Sequence, residues 1–126
     1  MTMVIAEAAR EQWLRNWLDG VLRLFTNEQS PARSDPAADY VEAVGFGYAP
    51  VPLSGAGWLI GPGEASFAEQ HFTFTGALGP VYGYYVTDVE SGALKWVERF
   101  AAGPVNVPET GGQITITPRF ALEEIR

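Results

Sequence analysis

The first twenty residues carry a four-residue rhythm that the rest of the chain lacks. In "TMVIAEAAREQWLRNWLDG" the apolar positions Ile5, Ala9, Trp13 and Trp17 recur every fourth residue, with Leu14 and Leu18 beside them. This spacing predicts one apolar stripe along an amphipathic helix. Thr2 is the expected N-cap and Glu11–Arg15 an i,i+4 pair of favourable orientation. Asp19-Gly20 is the expected stop, with glycine beyond the C-terminus. Two tryptophans on one stripe need a surface to bury them, either this chain's own sheet or a neighbouring subunit.

After Gly20 the period changes to two. "VLRLFTN" sets Val21, Arg23 and Phe25 against Leu22, Leu24 and Thr26, the alternation of a strand. "NEQSPARSDPAAD" is rich in Ser, Pro, Asp and Asn and predicts a loop. "EAVGFGYAPVPL" is interrupted by Gly45, Gly47, Pro50 and Pro52, which predicts an edge or bulged strand. "GWLIG" is a brief strand, and "EQHFTFTGA" sets Gln70, Phe72 and Phe74 against His71, Thr73 and Thr75. "PVYGYYVTD" and "ALKWVERF" are joined by "VESG" and predict a hairpin. "QITITPRFAL" follows the turn "PETGG" and closes the pattern.

About seven short strands with frequent turn signals predict a mainly β fold, an antiparallel β-sandwich or barrel, preceded by one N-terminal amphipathic α-helix. The same alternation serves a sandwich and a closed barrel. No strand–helix alternation follows residue 20, which disfavours a parallel α/β sheet. The expected division is a helix over 1–19, either a contact arm or packed on the sheet, and one β-domain over 20–126.

The hairpin is the richest aromatic stretch. Alternation puts Tyr82, Tyr84 and Val86 on one face and Val81, Gly83, Tyr85 and Thr87 on the other. Opposite them, Leu94, Trp96, Glu98 and Phe100 alternate with Ala93, Lys95, Val97 and Arg99. Gly83 leaves room for a neighbouring ring. The expectation is that these rings point inward and join two layers.

Composition narrows the functions. At 126 residues the chain has the length of one domain. No stretch approaches a membrane span, and the N-terminus lacks the pattern of a secretory signal. The chain has no cysteine, which excludes disulfides and thiolate chemistry and suits a reducing cytoplasm. Eight basic against fifteen acidic residues give a net charge of -7. The clustered Lys and Arg that carry nucleic-acid binding are missing. The scattered acids read as a solvated surface or as a face matched to a basic partner.

Candidate chemistry is sparse. His71 is the one histidine and sits between strand residues, with no Gly-x-Ser-x-Gly elbow elsewhere. Asp88 and Glu90 are two same-face carboxylates near a turn, suited at best to weak calcium binding. "SGAG" and "GPGEAS" lack the Gly-Lys-Ser/Thr ending of a phosphate loop. The expectation is a non-enzyme with no catalytic residue, metal or cofactor. A carbohydrate-binding sandwich is the sharper rival, with Trp58, in its glycine-rich loop, as the first stacking candidate.

Several ordered motifs carry a resemblance. "LRLFTNEQSPARSD", "DYVEAVGFGYAPVPL", "FAEQHFTFTGALGPVYGYYVTDVESGALKWVERF" and "ITITPRFAL" together resemble a group of small proteins of tailed bacteriophages, across residues 21 to 122. The helix region departs from that group in its tryptophan pair. The resemblance implies a virion structural protein assembled in the host cytoplasm, and it supplies no catalytic residues. The reading favoured is a capsid decoration or cement protein that bridges neighbouring subunits of the major capsid protein, with a tail, baseplate or fibre component as the alternative. Such a protein stabilises an assembled shell by mass action. A homo-oligomer is expected, a trimer on a local threefold axis among the options. The expected partner contacts are Trp13, Leu14 and Trp17 on the helix and Pro31, Arg33 and Pro36 in the loop, whose prolines reduce the ordering cost.

Overall fold

One helix and eleven short strands, all in antiparallel pairs, make up the described part of the structure, a computed structural model that describes residues 6–61 and 63–121. Helix α1 spans Glu7–Leu18 and starts from Ala6, which offers no side-chain cap. Thr2 and Ile5, expected as cap and stripe, lie outside the described residues. The Glu11–Arg15 pair forms at 2.9 Å.

The stripe is rotated from its expected position. Leu14 and Leu18 are buried and Trp17 is half-buried, but Trp13 is 54% exposed and Ala9 is open to solvent. Neighbouring helix residues sit about 100° apart around the axis, so docking through the Leu14/Leu18 pair turns Trp13 outward. The helix stop also differs. Asp19 is extended, and Gly20 opens the first strand instead of forming a left-handed cap. A Cβ on Gly20 would lie 2.7 Å from Val86 Cγ1 and 2.9 Å from the Thr87 carbonyl oxygen, so glycine is required there for space.

The strands are β1 (Gly20–Phe25), β2 (Val51–Leu53), β3 (Leu59–Ile60), β4 (Glu64–Ser66), β5 (Gln70–Phe74), β6 (Gly79–Val81), β7 (Gly83–Asp88), β8 (Leu94–Arg99), β9 (Val105–Val107), β10 (Gly112–Ile116) and β11 (Arg119–Ala121). The largest sheet has the order β2-β1-β7-β8; β11-β4-β3, β10-β5 and β6-β9 form smaller ones. The fold class is thus the mainly β one expected, with more strands than the seven predicted. The additions are β4 and β9, three-residue strands too short for visible alternation, and two splits. "PVYGYYVTD" divides at Tyr82 so that β6 pairs with β9, and "QITITPRFAL" divides before Arg119 so that β10 pairs with β5 and β11 with β4. Pro118 lies between the latter two and cannot continue a ladder.

Each large-sheet face buries a different cluster. Leu22, Leu24, Tyr84 and Val86 face the main core, which includes Leu14 and Leu18 of the helix, Trp58, Phe72, Phe74, Ile114 and Ile116. The opposite face carries a second cluster of Phe25, Tyr40 and Tyr85, closed over by the loop after β1. Tyr84 and Tyr85 are adjacent in sequence and both 4% exposed, because both faces of β7 are covered. At about 25 cal/mol per Å2 of apolar surface removed from water, such two-sided burial is the main stabilising term for this sheet.

Two face assignments are corrected. The β7–β8 register pairs Val86 with Trp96 but Thr87 with Leu94, a bulge that leaves Lys95 as the extra residue. Leu94 therefore packs on the second cluster, away from Trp96. Tyr82, in the break between β6 and β7, also joins the second cluster and not Tyr84. Gly83 behaves as expected: a Cβ there would meet Phe25 Cε1 at 2.8 Å and overlap the Glu98 carbonyl.

Candidate functional site

Three tryptophans fasten α1 to the sheets. Trp58 is 1% exposed, donates from Nε1 to the Leu18 carbonyl at 3.1 Å, and meets Phe67 and Trp96 edge-on at 5.5 and 5.9 Å. Its burial corrects the expectation of a sugar-stacking ring. The preceding Gly55–Gly57 turn brings Trp58 under the helix, and Arg15 Nη1 donates to the carbonyls of Gly55 and Trp58 at 3.1 and 2.6 Å. Trp17 stacks on Trp96 at 5.5 Å. Lys95, displaced by the bulge, donates from Nζ to the Trp17 and Asp19 carbonyls, where a cation complements the helix C-terminus. So anchored, α1 packs on the sheets.

The expected contact residues divide sharply. Leu14 is buried in the main core and is unavailable to a partner, which corrects its assignment. Pro36 is exposed but only precedes the Ala37–Asp39 turn. Trp17, Pro31 and Arg33, by contrast, converge with Ala32, Asp35 and the β8 residues Leu94, Lys95, Trp96 and Val97 around one groove of ≈ 540 Å3. Trp13 lines an adjoining depression with Asn16, Asp88 and Ser91, sharing Trp17 and Lys95 with the groove. Residues far apart in sequence thus form one continuous face.

The loop wall of the groove is held by hydrogen bonds. Asp35 accepts from the Tyr40 hydroxyl at 2.7 Å and the Ala32 N–H at 2.9 Å. These bonds, the Tyr40 hydroxyl foremost, hold the Asp35 carboxyl below its usual range. Asn27 clasps the loop's far end through Asp39 O and Val41 N–H at 2.8 and 2.9 Å. Burial, followed by Asp35, raises the Tyr40 phenol.

The other polar centre lies around Arg23. Its Nη1 donates to both Glu42 carboxylate oxygens at 2.9 Å and its Nε to Thr87 Oγ1 at 3.0 Å. Tyr48 donates its hydroxyl to Glu42 at 2.7 Å, and the Leu24 N–H donates to the Tyr48 oxygen. Burial, then Glu42, raises the Tyr48 phenol; burial followed by the Glu42 charge pushes the Tyr85 phenol up to about 12. Arg23, Glu42 and Tyr48 are bonded to one another or to the backbone, so the network fixes the loop after residue 40 onto β1. The pattern Arg23-x-Phe25 with Glu42 and Tyr48 downstream gave no spacing signal in the sequence.

His71 is exposed on a strand surface and contacts Thr115 Oγ1 at 3.0 Å and Glu69 at 3.3 Å. Asp88 accepts from the backbone N–H groups of Ser91 and Glu90 at 2.9 and 3.0 Å, which hold its carboxyl below the usual range. It builds the hairpin turn; Glu90 is exposed beside it. Among the described residues no three acidic or histidine side chains gather as a metal site, and no helix is long and apolar enough to cross a membrane.

No protein-family model, curated protein or solved structure matches the chain.

Proposed function

We propose that the chain is a structural docking protein of a tailed-phage virion, a capsid decoration or cement protein that bridges neighbouring subunits of the shell. The observation that carries this reading is the convergence of Trp13, Trp17, Pro31 and Arg33 on one face around the margin of β8. An exposed tryptophan beside an aromatic-lined groove is the composition of an interface anchor. The partly buried carboxylate Glu42 and the loop carboxylate Asp35 are committed to structural bonds, which supports a binding role over a catalytic one. The ordered strand motifs that resemble small virion proteins supply the setting. A shell that binds it is then stabilised by mass action.

The test is co-sedimentation of the purified protein with tail-free heads. Decoration requires a copy number comparable to the major capsid protein, and Trp13→Asp must lower occupancy at least tenfold while the isolated domain keeps its melting temperature. A few copies, confined to tails, assigns the protein to the tail. Binding to neither particle overturns the virion reading.

A further inference from the structure

The two margins of the large sheet are treated differently. At one end, β2 is three residues long and has Pro52 at its centre, which removes a backbone donor and blocks further strand pairing. At the other end, β8 is six residues long, contains no proline and pairs only with β7 among the described residues. Charged residues usually protect such a margin; of the three in β8, Glu98 is exposed and the other two are drawn into contacts within the chain. Lys95 turns back onto the helix C-terminus, and Arg99 lies 5.5 Å over the Tyr82 ring and 3.6 Å from Glu28.

The margin is also walled on both sides. Trp96 faces the main core, where Trp17 stacks on it, and Leu94 and Val97 face the second cluster beneath the loop. The groove of ≈ 540 Å3 therefore runs along β8 between Trp17 on one side of the sheet and Pro31 and Arg33 on the other. Its volume falls within the roughly 300–1,000 Å3 of ordinary ligand sites. The four β8 residues along it span about 10–13 Å at some 3.3 Å per residue, the reach of a short extended segment.

We infer that β8 is a strand-addition site: an extended segment of a different polypeptide pairs with the margin of β8 that faces away from β7, along the groove lined by Trp17 and Arg33. Backbone hydrogen bonds supply the pairing, and alternate side chains supply the selectivity. On one face the incoming strand places an apolar residue against Trp17. On the other it places a carboxylate near Arg33, which has no acidic partner among the described residues. A second copy is the poorer occupant. Each copy has a net charge of -7, which disfavours pairing of two copies. This deepens the docking reading above, because it states what chemistry the partner brings to the same face.

Selection from a displayed library of random octapeptides on the full chain tests the inference independently of any virion. The expected result is enrichment of alternating sequences with β-branched or aromatic residues on one parity and Asp or Glu on the other. A synthetic peptide of the enriched sequence must slow amide exchange within Leu94–Arg99 at least tenfold. Val97→Pro must abolish its binding, and Arg33→Glu, on the exposed loop where folding is not at stake, must weaken it at least tenfold. No enriched peptide, protection confined to other strands, or binding indifferent to Arg33→Glu overturns the proposal. So does a concentration-dependent dimer that Val97→Pro dissolves, which assigns the margin to a second copy. Head binding without strand addition leaves the virion reading standing and removes this one alone.

Discussion

Trp58 Nε1 and the Leu18 carbonyl oxygen, 3.1 Å apart, join the middle of the chain to the last residue of α1. The bond satisfies one of the carbonyls that a helix leaves open at its C-terminus, and the ring around it fills the main core. Trp58→Ala is therefore expected to cost about 3–5 kcal/mol, and Trp58→Phe about 1–2 kcal/mol through the lost hydrogen bond and smaller ring. Urea unfolding measures both. A surface role for Trp58 predicts near-zero change in each.

The helix tryptophans are expected to separate. Trp13→Ala should change stability by no more than about 0.5 kcal/mol, since the ring is mostly exposed. Trp17→Ala removes a ring stacked on Trp96 at 5.5 Å and should cost about 1–3 kcal/mol. Equal losses in thermal melts would mean that the helix docks through a different face.

Glu42 couples Arg23 to Tyr48. Glu42→Ala should cost about 1.5–3 kcal/mol, the range for hydrogen bonds to charged groups. It should also lower the Tyr48 phenol toward the free value, because Glu42 contributes to raising it. Chemical denaturation and an absorbance titration of tyrosine read the two effects separately.

The segment before β2 turns through three successive residues of positive φ: Gly45 at 85°, Phe46 at 52° and Gly47 at 85°. Gly45→Ala meets open space and should lose only the conformational term, about 1 kcal/mol. Gly47→Ala adds a Cβ 3.2 Å from the Thr73 carbonyl oxygen and should lose more. Melting of the pair decides whether backbone conformation or crowding dominates.

Acid and alkali should act through different residues. Asp35 and Asp88 have depressed carboxyl values in the folded state. Their stabilisation is present above the ordinary carboxyl range near 3.8 and fades as pH falls through the lower folded values. The phenols of Tyr40, Tyr48, Tyr84 and Tyr85 are raised, each chiefly by burial. The unfolded chain then releases these protons first, and stability falls as pH rises from 10, with the Tyr85 part of the loss running from 10 to about 12. Unfolding free energies measured from pH 2 to 12 should show both declines; a flat alkaline limb would mean that these phenols are open to water.

Alternation was legible in the five-residue strands β5 and β10. "QHFTF" buries Phe72 and Phe74 and exposes His71 and Thr73, as its pattern demands, since side chains on a strand must alternate. The inward direction of Tyr84 and Tyr85 was legible too, and so was Pro52 at a sheet margin. Of the candidate site, Trp13, Trp17, Pro31 and Arg33 were named as contacts, but nothing in their spacing placed them together.

The sequence by itself determined the period of each segment, and with it the helix, the longer strands and the mainly β class, because period follows from backbone geometry alone. The tertiary structure decided which side of each element found cover. A one-residue bulge at Lys95 moved Leu94 to the other face, and docking through Leu14 and Leu18 left Trp13 in solvent. Those outcomes rest on contacts between residues tens of positions apart, such as Trp58 with Leu18 and Lys95 with Trp17, and local pattern carries no information about which distant partner will arrive.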